Sequence, residues 1–400
     1  MNSTLKQRIN TLAYDTPPNG YHKSKLGLMP DDWNICTLGS ITSRISDKNG
    51  DNTTYPAYSI NNQIGFIPQS EQFEEGSYGD LNKSSYKIVE RGQFAYNPAR
   101  INVGSIGVLK DCEKAIVSSL YVCFSVSDKV DQNYLENWFR TFDFFKEIIR
   151  NTEGSVREYL FYENFANIRM RLPPLAEQKK IAEILGCCDE LIRLKKELIA
   201  EKKKQKKALM QKLLDPNSGF RLPGFAEKWI HDKLGNIAPL QRGFDLPQSL
   251  ITDGKFPVVY SNGIANHHSS YMVNGPGVVT GRSGTIGSVI YVEKSFWPHN
   301  TTLWVTNFHD NCPKFIYYLY AGLNFSRYAS GSGVPTLNRN DLHQTIVAIP
   351  HEHNEQQEIA TVLSISDHEI DLLEQELAQQ ERKKKSLMQL LLTGIVRVLA

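Results

Sequence analysis

From Ala176 to Leu214 the chain reads AEQKKIAEILGCCDELIRLKKELIAEKKKQKKALMQKLL. Apolar residues recur there at Ile181, Ile184, Leu185, Cys188, Leu191, Ile192, Leu198, Ile199, Leu209, Leu213 and Leu214. Steps of three and four put them on one stripe of a helix. The stretch has no proline and one glycine, and Lys, Glu, Leu and Ala are strong helix formers. A helix over the whole stretch is about 58 Å long at 1.5 Å per residue. Such a stripe needs a partner of similar length.

The same pattern returns from Asn354 to Leu392. A constant shift carries Glu177-Gln178 onto Glu355-Gln356, Ile181 onto Ile359, Leu185 onto Leu363, Asp189 onto Asp367 and Ile192 onto Ile370. It still holds where Leu209-Met210-Gln211 meets Leu387-Met388-Gln389. Two duplicated helices pack as a homodimer packs, about a pseudo-two-fold axis. The expectation is an antiparallel coiled coil with one globular domain before each helix, at opposite ends of a rod.

Elsewhere the pattern is shorter. Residues 1–15 predict a short helix through Leu5, Ile9 and Leu12, stopped by Thr16-Pro17-Pro18-Asn19-Gly20. Met29-Pro30-Asp31-Asp32-Trp33 and Leu222-Pro223-Gly224-Phe225 through Trp229 each precede a Leu-Gly pair, Leu38-Gly39 and Leu234-Gly235. Both read as the doorway to a domain, with the tryptophan as an anchor in its core. Strand-like runs follow at Tyr55–Ile60, Ser85–Val89, Gln93–Tyr96, Ser105–Leu109 and Ser119–Val126, with helices around Asn133–Arg150. The second half predicts strands at Pro257–Tyr260, Gly277–Thr280, Ile286–Glu293 and Thr302–Thr306, and a helix at Pro313–Leu323. The mixture is α/β in content, of the α+β kind. The expected order is an N-terminal helix and linker (1–32), a first domain (33–172), a long helix (173–215), a linker (216–228), a second domain (229–350) and a second long helix (351–400).

Composition adds little: hydrophobic and charged contents of 40% and 22% are those of an ordinary globular chain. No apolar run spans a membrane, and MNSTLKQRINTLAYDTPPNG lacks the apolar stretch of a secretory signal. Cys36, Cys112, Cys123, Cys187, Cys188 and Cys312 show no metal-ligand spacing, which predicts reduced thiols and a cytoplasmic protein. A net charge of +2 does not by itself name a polyanionic partner. The basic runs Lys202-Lys203-Lys204-Gln205-Lys206-Lys207 and Arg382-Lys383-Lys384-Lys385 sit inside the long helices. Consecutive helical residues point all round the axis, so the runs read as solvated helix surface.

Inside the domains the halves match at scattered points. Val103-Gly104-Ser105-Ile106-Gly107 resembles Ser283-Gly284-Thr285-Ile286-Gly287, and Gly154-Ser155 resembles Gly331-Ser332. The loops Arg100–Gly107 and Thr280–Gly287 each carry an arginine, a small hydroxyl and glycines. Glycine allows close backbone approach, and arginine suits phosphate or a guanine edge. Arg100, Asn102, Ser105, Arg282, Ser283 and Thr285 are therefore candidate DNA contacts, against the plainer reading of two glycine hairpins. Amides at Asn61, Asn62 and Asn262 suit base edges too, and ordinary polar turns explain them as well. Tyr55, Tyr58, Tyr260 and Tyr271 read as half-buried strand residues.

Catalytic signatures are missing. Asn97-Pro98-Ala99-Arg100 lacks the second proline and the aromatic residue of the amino-methyltransferase loop. No Gly-Lys-Ser/Thr loop offers a seat for ATP, and His351-Glu352-His353 lacks the spacing of two ligands on one helix face. The chain reads as a binding subunit.

Leu172-Pro173-Pro174-Leu175-Ala176-Glu177-Gln178-Lys179-Lys180-Ile181-Ala182 with its helical continuation resembles the specificity (S) subunit of type I restriction–modification systems. So do Ile349-Pro350 through Ala360, the two doorways and the two Gly-Ser/Thr-Ile-Gly loops. The second copy departs at His351-Glu352-His353, where the first has Pro-Leu-Ala. The resemblance implies two target-recognition domains reading a split double-stranded DNA sequence. It also implies a coiled coil that docks two methyltransferase (M) subunits, restriction (R) subunits joining through them, and no catalysis by the chain itself. Cofactors are expected on those partners, S-adenosylmethionine on M and ATP with Mg on R, and none on this chain. The competing readings are a coiled-coil scaffold without DNA specificity and an enzyme with an unrecognised site.

Overall fold

The computed structural model describes residues 17–50, 54–72, 83–152, 159–330 and 336–398. The expected helix through Leu5, Ile9 and Leu12, and the Gly154-Ser155 and Gly331-Ser332 match, lie outside the described residues. The chain forms two compact units, Met1–Leu194 with Leu377–Ala400, and Lys195–Glu376. Each unit therefore contains a globular domain together with parts of both long helices, which the expected contiguous boundaries separate.

In the first unit a hairpin, β1 (Tyr21–Ser24) and β2 (Gly27–Pro30), leads to β3 (Asn34–Thr37). One sheet takes β4 (Thr42–Ile45), β8 (Phe94–Tyr96), β9 (Ile106–Val108) and β11 (Val122–Val126) in the order β4-β11-β8-β9. The other takes β5 (Ala57–Asn61), β6 (Gly65–Pro68), β7 (Lys87–Glu90) and β10 (Lys114–Val117) in the order β6-β5-β10-β7. Three helices follow: α1 (Gln132–Trp138), α2 (Phe142–Asn151) and α3 (Tyr162–Asn167). Asp131 and Thr141 start the first two, each accepting from a backbone N–H three residues on, at 2.9 and 3.3 Å. The domain closes where β12 (Arg169–Leu172) pairs with β3. Its core holds Trp33, Phe94, Phe124, Phe139, Phe144 and Phe165. Trp33 is the anchor expected, only 2% exposed.

The second unit opens with β13 (Ile230–Lys233) and closes with β23 (Ile346–Ile349), which pair antiparallel. Between them β14 (Leu240–Arg242), β17 (Gly277–Gly281), β18 (Val289–Val292) and β20 (Thr302–Val305) form a sheet in the order β14-β20-β17-β18. A smaller sheet holds β15 (Phe256–Tyr260), β16 (Gly263–His268) and β19 (Trp297–Pro298). Helix α5 (Pro313–Ala321) has its proline in the first turn, where no N–H is needed. The short ribbon of β21 (Ala329–Ser330) and β22 (Thr336–Leu337) leads to α6 (Arg339–His343). Trp229 is only half-buried, so the anchor reading holds for one tryptophan of the two.

Both Leu-Gly doorways do the same work. Leu38 N–H donates to the Ile168 carbonyl at 2.8 Å, and Leu234 N–H to the Thr345 carbonyl at 2.8 Å. A Cβ on Gly39 would lie 2.9 Å from that of Ala166 in α3, and one on Gly235 would lie 2.9 Å from that of His343 in α6. Glycine is required because a helix lies against the backbone.

The long helices are α4 (Leu175–Leu213) and α7 (His353–Leu392), within a residue of the ranges their periodicity predicts. In the first unit Ile181, Leu185, Leu391 and Leu392 share one core, and Lys384 pairs with Asp189. In the second, Leu213, Ile359 and Leu363 share a core. There Lys195 meets Glu376 at 2.7 Å, Lys202 meets Glu369 at 2.6 Å and Lys206 meets Asp367. Rising numbers on one helix meet falling numbers on the other, so the segments run antiparallel within each unit. Lys202, Lys206 and Lys384 thus tie helix to helix, which corrects the solvated-surface reading at those positions, while Lys204, Lys207, Arg382, Lys383 and Lys385 are exposed as that reading expects. The departure at His351-Glu352-His353 does not displace the helix start: α4 opens at Leu175 and α7 at His353, each two residues before its Glu-Gln pair.

Glu177-Gln178 and Glu355-Gln356 fasten each helix start to its domain. Gln178 accepts from Asp131 N–H at 2.9 Å and donates to the carbonyls of Lys129 and Pro173 at 3.2 and 2.8 Å. Gln356 accepts from Cys312 N–H at 2.9 Å and donates to Asn311 Oδ1 and the Pro350 carbonyl at 2.8 and 3.0 Å. Glu177 takes Trp33 Nε1 at 2.9 Å and the guanidinium of Arg397 at 2.8 Å, and Arg397 also grips Asp32. The Arg397 guanidinium holds the Asp32 carboxyl below its usual range. Glu355 takes Arg221 in two bonds of 2.8 and 2.7 Å. Arg397 follows α7 and Arg221 follows α4, so the segment after one long helix secures the start of the other.

Candidate nucleic-acid interface

In the first unit the turn between β5 and β6 lies against the loop between β8 and β9. Asn61 folds its own turn, its Oδ1 accepting from Gln63 N–H at 2.7 Å. Asn62 is exposed, and its carbonyl oxygen would lie 3.2 Å from a Cβ on Gly104. Gly104 has φ +93°, a backbone that favours glycine. Arg100 and Asn102 are exposed on this loop. Ser105 is not: it is 1% exposed, and its hydroxyl donates to the Ile60 carbonyl at 2.7 Å. Its structural work is to pin the loop to β5, which corrects its reading as a DNA contact. Asn97-Pro98-Ala99-Arg100 is a turn, with Asn97 Oδ1 accepting from Ala99 N–H at 3.0 Å.

The second unit repeats the juxtaposition. The turn between β15 and β16 carries Ser261 and exposed Asn262, and Ser261 Oγ would lie 3.5 Å from a Cβ on Gly284. Thr285 is exposed, Arg282 and Ser283 are half-exposed.

The two loops are not superposable along the matched peptide. Ile106 pairs with Tyr96 inside the β8–β9 ladder. Its sequence counterpart, Ile286, lies in the loop, and the β17–β18 ladder begins three residues later, where Thr280 pairs with Val289. The expected strand from Ile286 is shortened because Gly287, at φ +85°, breaks the extended backbone.

Arg282 has company that the sequence did not reveal. A cleft of about 440 Å³ is lined by Arg242, Arg282, Leu303, Thr336, Leu337, Asn338, Arg339 and Asn340. Three arginines line it, one ending β14, one following β17 and one opening the helix Arg339–His343, and no spacing in the chain announces it. His343 closes the join behind, its Nε2 accepting from Leu240 N–H at 2.8 Å. Burial, and then the nearby Arg339 charge, hold this imidazole below its usual range, consistent with a neutral acceptor.

Burial pushes the Cys36 thiol up to about 11 and that of Cys123 to about 12, far from a reactive thiolate. Among the described residues no group of three or more His, Cys, Asp or Glu side chains is placed to hold a metal ion. Among the same residues no helix is long and apolar enough to cross a membrane.

The family model described as the type I restriction modification DNA specificity domain matches this chain twice, over residues 30–204 and 226–382. A type I restriction enzyme MjaVIII specificity subunit from Methanocaldococcus jannaschii is 25% identical over 423 residues, covering 92% of this chain and 94% of that one. A putative MjaX specificity subunit from the same organism is 22% identical, over 94% of this chain and 97% of the relative. A solved S subunit from M. genitalium shares the fold with a TM-score of 0.59 at 14% identity, covering 90% of this chain and 96% of that one. A chain from a structural study of type I complex assembly gives a TM-score of 0.61, also at 14% identity, over 92% of this chain and 99% of that one. The double match defines a two-domain DNA-specificity protein. The chain belongs to the type I restriction–modification DNA specificity family and is a specificity subunit with two target-recognition domains.

Proposed function

We propose that each domain reads one half of a bipartite DNA target while the chemistry resides on other subunits. The observation that carries this is the repeated juxtaposition of two turns in each unit. It sets Asn62 beside the Arg100–Asn102 loop, and Asn262 beside the Arg282–Thr285 loop. Exposed amides and guanidinium groups on rigid turns suit base edges and phosphates in a groove. The long helices dock two methyltransferase subunits, and restriction subunits join through these. S-adenosylmethionine and ATP with Mg belong to those partners, and the complex works in the cytoplasm. The test is co-purification with an M subunit, followed by mapping of methylated adenines. Methylation at one split sequence is the expected result. Methyl transfer by this chain alone would overturn the division of labour. A complex that forms without sequence-selective DNA binding would make the chain a scaffold.

A further inference from the structure

Arg242 ends β14, Arg282 follows β17 and Arg339 opens α6. Their backbones are fixed to one another. Leu303 of β20 is in register with Arg242 on one side and Thr280 on the other. Leu337 N–H donates to the Arg282 carbonyl at 2.8 Å, and Leu240 N–H to His343 at 2.8 Å. The cleft is therefore assembled before any ligand arrives, which lowers the entropy cost of binding.

The charges in it are poorly compensated. Arg242 meets Asp245 only at 3.3 Å, with 51% and 70% of the two side chains exposed. Arg282 and Arg339 have no side-chain hydrogen bond or ion-pair acceptor among the described residues. Several arginines elsewhere are closely paired: Arg44 with Glu163 at 2.7 Å, Arg91 with Glu113 at 2.8 Å and Arg221 with Glu355 at 2.7 Å. Three guanidinium-bearing side chains lining one cleft make it cationic, and a polyanion complements that charge. Phosphate oxygens match their forked donors.

Resting on the DNA-reading function above, we propose that Arg242, Arg282 and Arg339 form a clamp for the DNA backbone on the second domain. The clamp grips phosphates and carries no sequence information. It sets the register from which Asn262 and Thr285 meet the bases. This assigns Arg282 to phosphate, where the sequence left phosphate and guanine equally open.

The experiment uses the complex with its M subunit and measures DNA affinity against salt for R242Q, R282Q and R339Q. Two duplexes are compared: one carrying the target mapped from the complex's own methylation, and one scrambled. Each variant is expected to weaken both duplexes by the same factor. Each should also flatten the slope of log affinity against log salt by about 0.9, as follows when one phosphate fewer is neutralised. N340D, which adds an anion at the cleft without removing a guanidinium, should weaken both duplexes equally and confirm the field. Unchanged salt slopes overturn the clamp, and so does a weakening confined to the target duplex, which would mark base recognition. If the unsubstituted complex fails to prefer its target, the DNA-reading function fails, while the slopes on either duplex still decide the clamp.

Discussion

At the start of α4, Gln178 reaches the N–H of Asp131, the residue that caps α1. At the start of α7, Gln356 reaches the N–H of Cys312, which stands in the N-cap position of α5. Same residue type, same position, same partner: this region is repeated in space as it is in sequence. The tip loops behave otherwise. Gly-Ser-Ile-Gly and Gly-Thr-Ile-Gly read alike, yet Ile106 lies in a ladder and Ile286 lies before one. A buried amide that must satisfy three groups fixes both its identity and its place. A loop answerable mainly to solvent can drift by three residues and keep its letters.

Core truncation probes this comparison most strongly. Leu185 and Leu363 are equivalent and both fully buried. Leu185→Ala and Leu363→Ala should each cost about 2–5 kcal/mol in urea unfolding. Equal costs would show a frame repeated in energy as well as geometry; a large imbalance would break the equivalence. The glutamines come next. Gln178→Ala and Gln356→Ala strand buried donors and acceptors, at about 1–3 kcal/mol each by the same measurement. Gln178 bonds only to backbone, whereas Gln356 bonds also to the Asn311 side chain, which can turn to another partner. The first substitution should therefore cost more. The smallest effect concerns Ala166 and His343, which occupy the same seat against Gly39 and Gly235. His343 is held below its usual imidazole range, so the unfolded chain takes up a proton that the folded chain resists. Stability should fall as pH drops through about 6.5 and recover above it. H343A should blunt that acid sensitivity in thermal unfolding followed at a neutral and at a mildly acidic pH. An undiminished pH dependence would shift the origin elsewhere, with His299, also lowered by burial, the next candidate.

The helices were legible because thirty-nine or forty residues repeat one stripe, and the structure ends them within a residue of the pattern. The domains were legible only in part. Their strands are two to six residues long, too short for alternation to declare itself, and runs such as Lys114–Val117 were passed over. Their closing pairs are distant in the chain: Asn34 meets Leu172, and Ile230 meets Ile349. The candidate loops were found from glycine and arginine and the amides beside them from residue type, but the other arginines of the cleft were not. Arg242 and Arg339 join Arg282 only through strand pairing and the docking of α6. Ser105 was misread because a hydroxyl in a glycine loop looks the same whether it faces outward or inward.

Gly281 carries a consequence for how such a protein changes its mind. A methyl group there would lie 1.9 Å from the Thr285 carbonyl oxygen. The loop is folded back on itself so tightly that no side chain fits at its root. Its tip is under no such restriction, since Thr285 is exposed. Mutation can thus replace the lettering of the loop without recasting the type. On the proposed DNA-reading function, new sequence preferences become reachable by single steps at the tip, while the root filters out the substitutions that would cost the domain its shape.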